Sequence, residues 1–312
     1  MKIVFLDIAT MGDDIELMPL QKRGTLISYP LSGSKQAKER IKEADVVVVN
    51  KQYIGKEEID AADNIKLICV AATGINNIDV EYAKQKGIPV MNVVDYSTES
   101  VAQITFGSLL TLINSIIYFD AVVKDGRYSA NRHFTDTGRF FHELKGMKFG
   151  IIGMGNIGKR VAQIASCFGC DICYYSTNGV AHCSDYPSVS LEELLTGCDI
   201  VSIHSPLNER TKDLITMSEI KKMKSNAILV NMGRGGIVNE SDLAAALNMD
   251  IIAGAVVDVF QKEPIPFDHP FLSLKNPDKM VMTPHIGWAS IEARRLLMER
   301  IGENIDSVFK TT

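Results

Sequence analysis

Basic residues are in the minority in this chain: 33 Lys and Arg stand against 38 Asp and Glu, a formal charge of −5 over 312 residues. That balance offers no positive footprint for a nucleic-acid partner. Cysteine is sparse too, and six in a chain of this length cannot build a disulfide scaffold. An apolar leader is also missing. The opening run Met1 to Leu6 meets Asp7 too early for a targeting segment, so the expected compartment is the cytoplasm. One uncharged stretch, residues 101–119, is long enough to suggest a membrane span. Gln103, Thr105, Ser108, Thr111, Asn114 and Ser115 would each be costly in hydrocarbon. The stretch therefore reads as a helix fully buried between two layers, and no membrane partner is expected.

What is present is a globular balance, 46% apolar and 23% charged, which excludes a disordered or collagen-like chain. The length suggests two domains. Short apolar runs at 2–6, 25–28, 45–49 and 66–71 alternate with helical patterns at 35–43, 56–63 and 80–86. This is the βαβα alternation of an open parallel sheet. A second series has strand candidates at 148–152, 171–175, 199–204, 227–231, 252–257 and 280–283. Its helix candidates lie at 157–168, 191–196, 217–222 and 240–247. The fold class is thus α/β with two doubly wound parallel sheets. A last helix, 290–309, has no obvious place in the second series. The first domain is therefore expected to be discontinuous, 1–98 with 289–312, and the second, 99–288, to be inserted in it. Residues 126–146 are polar, irregular and long for a loop, which marks a functional or interface segment.

Gly153-Met154-Gly155-Asn156-Ile157-Gly158 follows an apolar run and opens an amphipathic pattern. That is the context in which GxGxxG binds a dinucleotide. Gly153 serves the tight turn, Gly155 admits the pyrophosphate, and Gly158 allows strand and helix to pack closely. The helix start offers free N–H groups and a positive dipole to phosphate. An acid normally binds the adenosine ribose after the next strand; Ser176 and Thr177 stand there instead. Cys167, Cys170 and Cys173 have CxxCxxC spacing, but they straddle a helix end and a strand, and no metal is expected.

Three further strand ends carry chemistry. Asn231 to Gly236 holds Arg234, Asp258 to Pro264 holds Glu263, and Thr283 to Trp288 holds His285. Reduction of a 2-keto acid needs these three groups. A planar cation pairs with the carboxylate and polarises the carbonyl. A group titrating near neutrality delivers the proton. A carboxylate orients that imidazole. The glycines flanking Arg234 read as room for a ligand. His204 reads as structural or beside the cofactor, and His269, in Asp268-His269-Pro270, as part of a turn.

With these motifs the chain resembles the D-isomer-specific 2-hydroxyacid dehydrogenase family over its whole length. It is most similar to the glycerate dehydrogenase (hydroxypyruvate reductase) group. The resemblance is carried by Ala72 to Asp79, Tyr96 to Gln103, Gly153 to Gly158, Val230 to Gly236 and Pro284 to Ser290. It implies a flavodoxin-like substrate domain, a Rossmann domain and a homodimer. It implies that Arg234, Glu263 and His285 are catalytic. Thr73, Gly74, Ile75, Arg234 and Trp288 would meet substrate. Val101, Gly153, Gly155, Asn156, Ile157, Gly158, Ser176, Thr177, His204, Pro206, Met232, Gly233, Arg234, Asp258, His285 and Gly287 would meet the cofactor. The expected cofactor is NAD, with NADP also accepted because no acid repels a 2′-phosphate. The expected reaction is interconversion of a small 2-keto acid and its D-2-hydroxy acid, with hydroxypyruvate or glyoxylate leading. The rivals are a broader 2-keto-acid reductase, a phosphoglycerate dehydrogenase, and a non-catalytic NAD(H) sensor that keeps the same residues.

Overall fold

The computed structural model describes residues 1–309. It divides into two compact units, Met1–Ser97 with Trp288–Thr312, and Thr98–Gly287. Residues 310–312, the tail of the expected first domain, lie outside the described residues.

The first unit runs β1 (Lys2–Phe5), α1 (Met18–Gln21), β2 (Thr25–Ser28), α2 (Ser34–Arg40), β3 (Val46–Val49), α3 (Lys56–Ala61), β4 (Leu67–Val70), α4 (Val80–Gln85) and β5 (Val90–Met91). The strands pair in parallel in the order β2-β1-β3-β4-β5, the flavodoxin-like order. Both faces of β3 and β4 are buried, which suits their unbroken apolar sequences. Asp79 starts α4 by accepting the Tyr82 N–H at 3.0 Å.

The second unit opens with α5 (Thr98–Ile113), α6 (Ile116–Lys124) and α7 (Arg127–Ala130). It continues through β6 (Lys148–Ile152), α8 (Asn156–Cys167), β7 (Asp171–Tyr175), α9 (Leu191–Gly197), β8 (Ile200–Ile203) and α10 (Met217–Ile220). It closes with β9 (Ile228–Asn231), α11 (Glu240–Asn248), β10 (Gly254–Val257) and β11 (Met280–Met282). All pairings are parallel, in the order β11-β10-β9-β8-β6-β7. Beyond β7, Tyr174 bridges Ser188 alone, with bonds of 3.0 and 2.9 Å to Pro187 and Val189. That bridge is the third strand of a Rossmann sheet reduced to one residue pair, and it restores the order 3-2-1-4-5-6, with β11 as a seventh strand at the far edge. The order reverses between β6 and β8, so a crevice opens at their carboxyl ends.

The chain returns to the first unit as α12 (Ile291–Phe309). Leu297, Met298, Ile301 and Ile305 bury its inner face in that unit's core. Arg23 pairs with Asp306 at 2.6 Å, and Arg294 pairs with Asp14.

Residues 101–119 do not form one buried helix. The chain breaks at Ser115, which has φ 49°, and α5 and α6 meet at a bend of 62°. α5 packs against α8 and the edge of the sheet, whereas α6 touches α5 and α7 and buries Val122 alone. On α6, Ile116, Ile117 and Val123 face solvent. Asn114 and Ser115 fall where the apolar layer ends, so the uncharged run outlasts the core that could cover it. Among the described residues, no single helix is long and apolar enough to cross a membrane.

Candidate active site

The cofactor cradle follows from the glycine loop. Gly153 has φ +95°, and a side chain there would meet the Ser205 backbone at 2.8 Å. A Cβ on Gly158 would lie 2.3 Å from the Gly153 carbonyl oxygen, so this glycine sets the close approach of α8 to its loop. A Cβ on Gly155 would meet nothing within 4 Å. Gly155 caps α8, with Asn156 and half-buried Ile157 in the helix's first turn. The cavity at the β6/β8 switch measures about 640 Å³ and is lined by Gly153, Gly155, Ser176, Thr177, His204 and Pro206, with Arg210. Two buried polar atoms there, His204 Nδ1 and Ser205 Oγ, have no partner among the described residues. Burial pushes the His204 imidazole down to about 3, so it meets the cavity uncharged. Its Nε2 lies 2.8 Å from Ser202 Oγ. Open space at Gly155, a free helix start and orphaned polar atoms fit a dinucleotide.

The loop after the second Rossmann strand is bound to itself. Ser176 Oγ lies 2.7 Å from both Asn178 Oδ1 and Val180 O. Arg210 Nη1 donates to the Asn178 carbonyl at 3.2 Å. The guanidinium therefore stands beside the loop that would receive the adenosine ribose.

Three of the expected site residues, Asp258, Glu263 and His285, meet at the ends of β10 and β11. His285 Nδ1 donates to Glu263 Oε2 at 2.7 Å, which leaves Nε2 as the other proton site. His285 itself has φ 53°, a conformation L-residues adopt at a cost of about 1–3 kcal/mol. Asp258 holds it there. The Asp258 carbonyl accepts the His285 N–H at 2.8 Å. Its carboxylate accepts from the Thr283 hydroxyl at 2.6 Å and from the Ile286 and Gly287 amides at 2.9 Å. Burial raises the Asp258 carboxyl, opposed by those donors and by the charge of His285. Gly287 lies under Val101, 3.6 Å from where its Cβ would be, and has Asp258 Oδ2 at 2.9 Å.

Arg234 follows β9 in a turn closed by Asn231, whose side chain bonds Gly233 N and Arg234 O at 3.1 Å each. Its guanidinium is half-buried and donates to the Gly233 carbonyl at 2.8 Å. No carboxylate pairs with it among the described residues. The sequence reads the glycines around it as room for a ligand, and two of them also have close backbone neighbours. A Cβ at Gly233 would lie 2.7 Å from Ser205 O, and one at Gly235 1.9 Å from the Phe260 carbonyl carbon. They let the Arg234 turn pack directly on backbone. Met232 is buried in the core behind it.

Thr73, Gly74, Ile75 and Trp288 belong to the first unit. Thr73 is tied down by its hydroxyl to Val93 O at 3.1 Å and by Asn92 Nδ2 to its carbonyl at 2.6 Å. Trp288 packs on the first unit's core, edge-on to Tyr96 with centroids 6.4 Å apart. Sequence reasoning missed two groups. Asp7, at the end of β1, accepts the amides of Asn50, Lys51 and Gln52. His269 is no mere turn residue: it is buried against Glu240 at 2.9 Å. Both carry a weak sequence signal, an ionisable side chain within an apolar segment. Cys167 is exposed, Cys170 is buried on the Leu144 carbonyl, and Cys173 faces Cys198 at 3.5 Å, so the CxxCxxC thiols diverge.

Residues 106–287 match the model of the D-isomer specific 2-hydroxyacid dehydrogenase, NAD binding domain. The chain belongs to this dehydrogenase family. It is 35% identical to the hydroxypyruvate reductase of Blautia hydrogenotrophica over 99% of this chain and 97% of that one. It is 36% identical to the glyoxylate reductase of Korarchaeum cryptofilum over 86% and 80%. The D-lactate dehydrogenase of Aquifex aeolicus, solved with NAD and lactic acid, superposes with a TM-score of 0.85 at 27% identity, covering 99% and 96%. The dehydrogenase is thus an NAD(P)-dependent enzyme acting on 2-hydroxy acids, with a Rossmann domain and a second parallel-sheet domain.

Proposed function

We propose that this dehydrogenase reduces a small 2-keto acid, hydroxypyruvate or glyoxylate, to its D-2-hydroxy acid and catalyses the reverse. The observation that carries the mechanism is the His285–Glu263 contact; Arg234 stands in a turn whose Gly235 packs on the Phe260 backbone and pairs with no carboxylate among the described residues. When bound, the reduced nicotinamide supplies the hydride. Arg234 binds the substrate carboxylate and polarises the keto oxygen. His285 Nε2 gives its proton to that oxygen as negative charge builds there. Glu263 keeps Nδ1 protonated and the ring aligned, and Asp258 fixes the turn that presents it. Thr73, Gly74, Ile75 and Trp288, in the first unit, are the further residues assigned to substrate in this reading. The first-series sheet with α12 is the substrate domain, and Thr98–Gly287 the dinucleotide domain. The hydroxypyruvate and glyoxylate reductases among its relatives support the choice of substrate.

Both cofactors should work. Ser176 and Thr177 carry no charge to repel a 2′-phosphate, and Arg210 offers a cation beside them, although Glu209 lines the same cavity. The test is kcat/KM on a panel of 2-keto acids with NADH and NADPH. Hydroxypyruvate or glyoxylate should exceed bulkier acids, with NADPH substantially active. A preference for NADH above about a thousandfold, roughly 4 kcal/mol, would contradict the cofactor reading. Turnover confined to bulky keto acids would contradict the substrate.

The enzyme works as a homodimer in this reading. Ile116 and Ile117 on α6, and Phe134 and Phe140 in the segment after α7, are exposed, the last two about 90%. Apolar surface of that kind calls for a covering chain. Light scattering should give twice the chain mass; a monomer mass would contradict it.

A further inference from the structure

A second buried carboxylate lies behind the reaction centre. Glu240 is the first residue of α11, and its side chain is 12% exposed. Its Oε1 accepts the Gln261 amide at 2.6 Å, and its Oε2 accepts His269 Nε2 at 2.9 Å. The His269 side chain is 5% exposed, and its Nδ1 accepts the Phe271 amide at 3.3 Å. A ring that accepts at Nδ1 carries its proton on Nε2, so Nε2 must donate. Glu240 therefore faces a donor at each oxygen. A carboxylate satisfies both; an amide of the same shape would turn an NH₂ onto one of them.

What Glu240 holds is the loop that carries Glu263. The side chain of Glu263 closes that loop by accepting the Phe260 amide at 3.0 Å through Oε1, while Oε2 takes His285. Glu240 pins the next amide along, Gln261. The Phe260 ring is edge-on to His269, with centroids 6.1 Å apart. The Phe260 carbonyl is also the backbone on which Gly235, next to Arg234, rests.

We infer that Glu240, locked by His269, is a positioning residue for the reaction: it fixes the Phe260–Gln261 peptide that sets Glu263 against His285. The inference rests on the catalytic reading of Glu263 and His285. Loosening the loop lets Glu263 drift from Nδ1, and a misplacement of about 1 Å at a reacting group costs up to about a hundredfold in rate.

The experiment is a double-mutant cycle of Glu240→Gln and Glu263→Gln, read by kcat, KM, NADH affinity and the pH profile of reduction. The titratable groups facing His285 among the described residues are Glu263 and Asp258; His269 faces Glu240. Glu263→Gln removes an anion that favours the protonated ring, so the acid form is lost at lower pH and the upper limb moves down. Glu240→Gln should move the same limb the same way and lower kcat about tenfold or more, with NADH affinity kept. In the double variant the limb should stay where Glu263→Gln alone puts it, because the two act in series. A wild-type limb and kcat in Glu240→Gln, or effects that multiply in the double variant, would overturn the inference. Should Glu240→Gln fail to fold, His269→Phe carries the same test, since it keeps a ring against Phe260 and removes the donor to Glu240, along with the acceptor of the Phe271 amide. If Glu263→Gln and His285→Ala themselves leave activity intact, the catalytic reading fails; if they impair it and Glu240→Gln does not, only this inference fails.

Discussion

Replacing His285 by alanine should lower kcat for keto-acid reduction by about 10²–10⁴, the usual share of a positioned acid–base group. The carbonyl oxygen becomes an alkoxide as hydride arrives, and nothing else among the groups around that turn can donate there. Asp258 has both oxygens filled by the Thr283 hydroxyl and by the amides of Ile286 and Gly287. Glu263 lies behind the imidazole, bonded to Nδ1. NADH affinity should survive, because the glycine loop and α8 are untouched. A fluorescence titration of NADH beside steady-state kinetics separates the two. A loss in kcat below about tenfold would remove His285 from the proton's path.

Arg234→Lys should cost about a hundredfold in kcat/KM for the keto acid, although it preserves charge. Lysine has a point charge on a flexible stem, whereas the guanidinium presents two parallel donors to a carboxylate and a third to the carbonyl. The turn around it is fixed: Asn231 bonds both ends, and Gly235 sits on the Phe260 carbonyl. A shorter or longer reach therefore cannot be absorbed by the backbone. Both constants should move, kcat because carbonyl polarisation grows in the transition state and KM because the carboxylate contact is present in both states. Kinetics within about threefold of wild type would show that Arg234 does not hold the substrate.

The elements that read well from sequence are those whose burial is uniform. The four valines of β3 and the apolar run of β6 are covered on both faces, and no other structure suits them. Residues 101–119 read badly because an uncharged run reports what could be buried, not what is there to bury it; the core ends at Ser115. The third Rossmann strand was unreadable, since a single bridge at Ser188 leaves no pattern. At the site, the His285–Glu263 contact was legible because each residue stands at a strand end with its own motif. The backbone neighbours of Gly233 and Gly235 were not legible, because sequence cannot say what a glycine packs against. Glu240 and His269 stayed hidden for a related reason. Their meaning is the bond between them, across 29 residues, and each alone reads as an ordinary helix start or turn.

The central claim is that hydride moves from the nicotinamide to the keto carbon, with His285 supplying the proton. The most direct measurement uses NADH with both hydrogens of the reduced ring carbon replaced by deuterium, mixed with hydroxypyruvate and the enzyme, and follows the label and configuration of the product. The account predicts glycerate of the D configuration carrying deuterium on C2. Unlabelled product, an L product, or NADH bound without any transfer would contradict it.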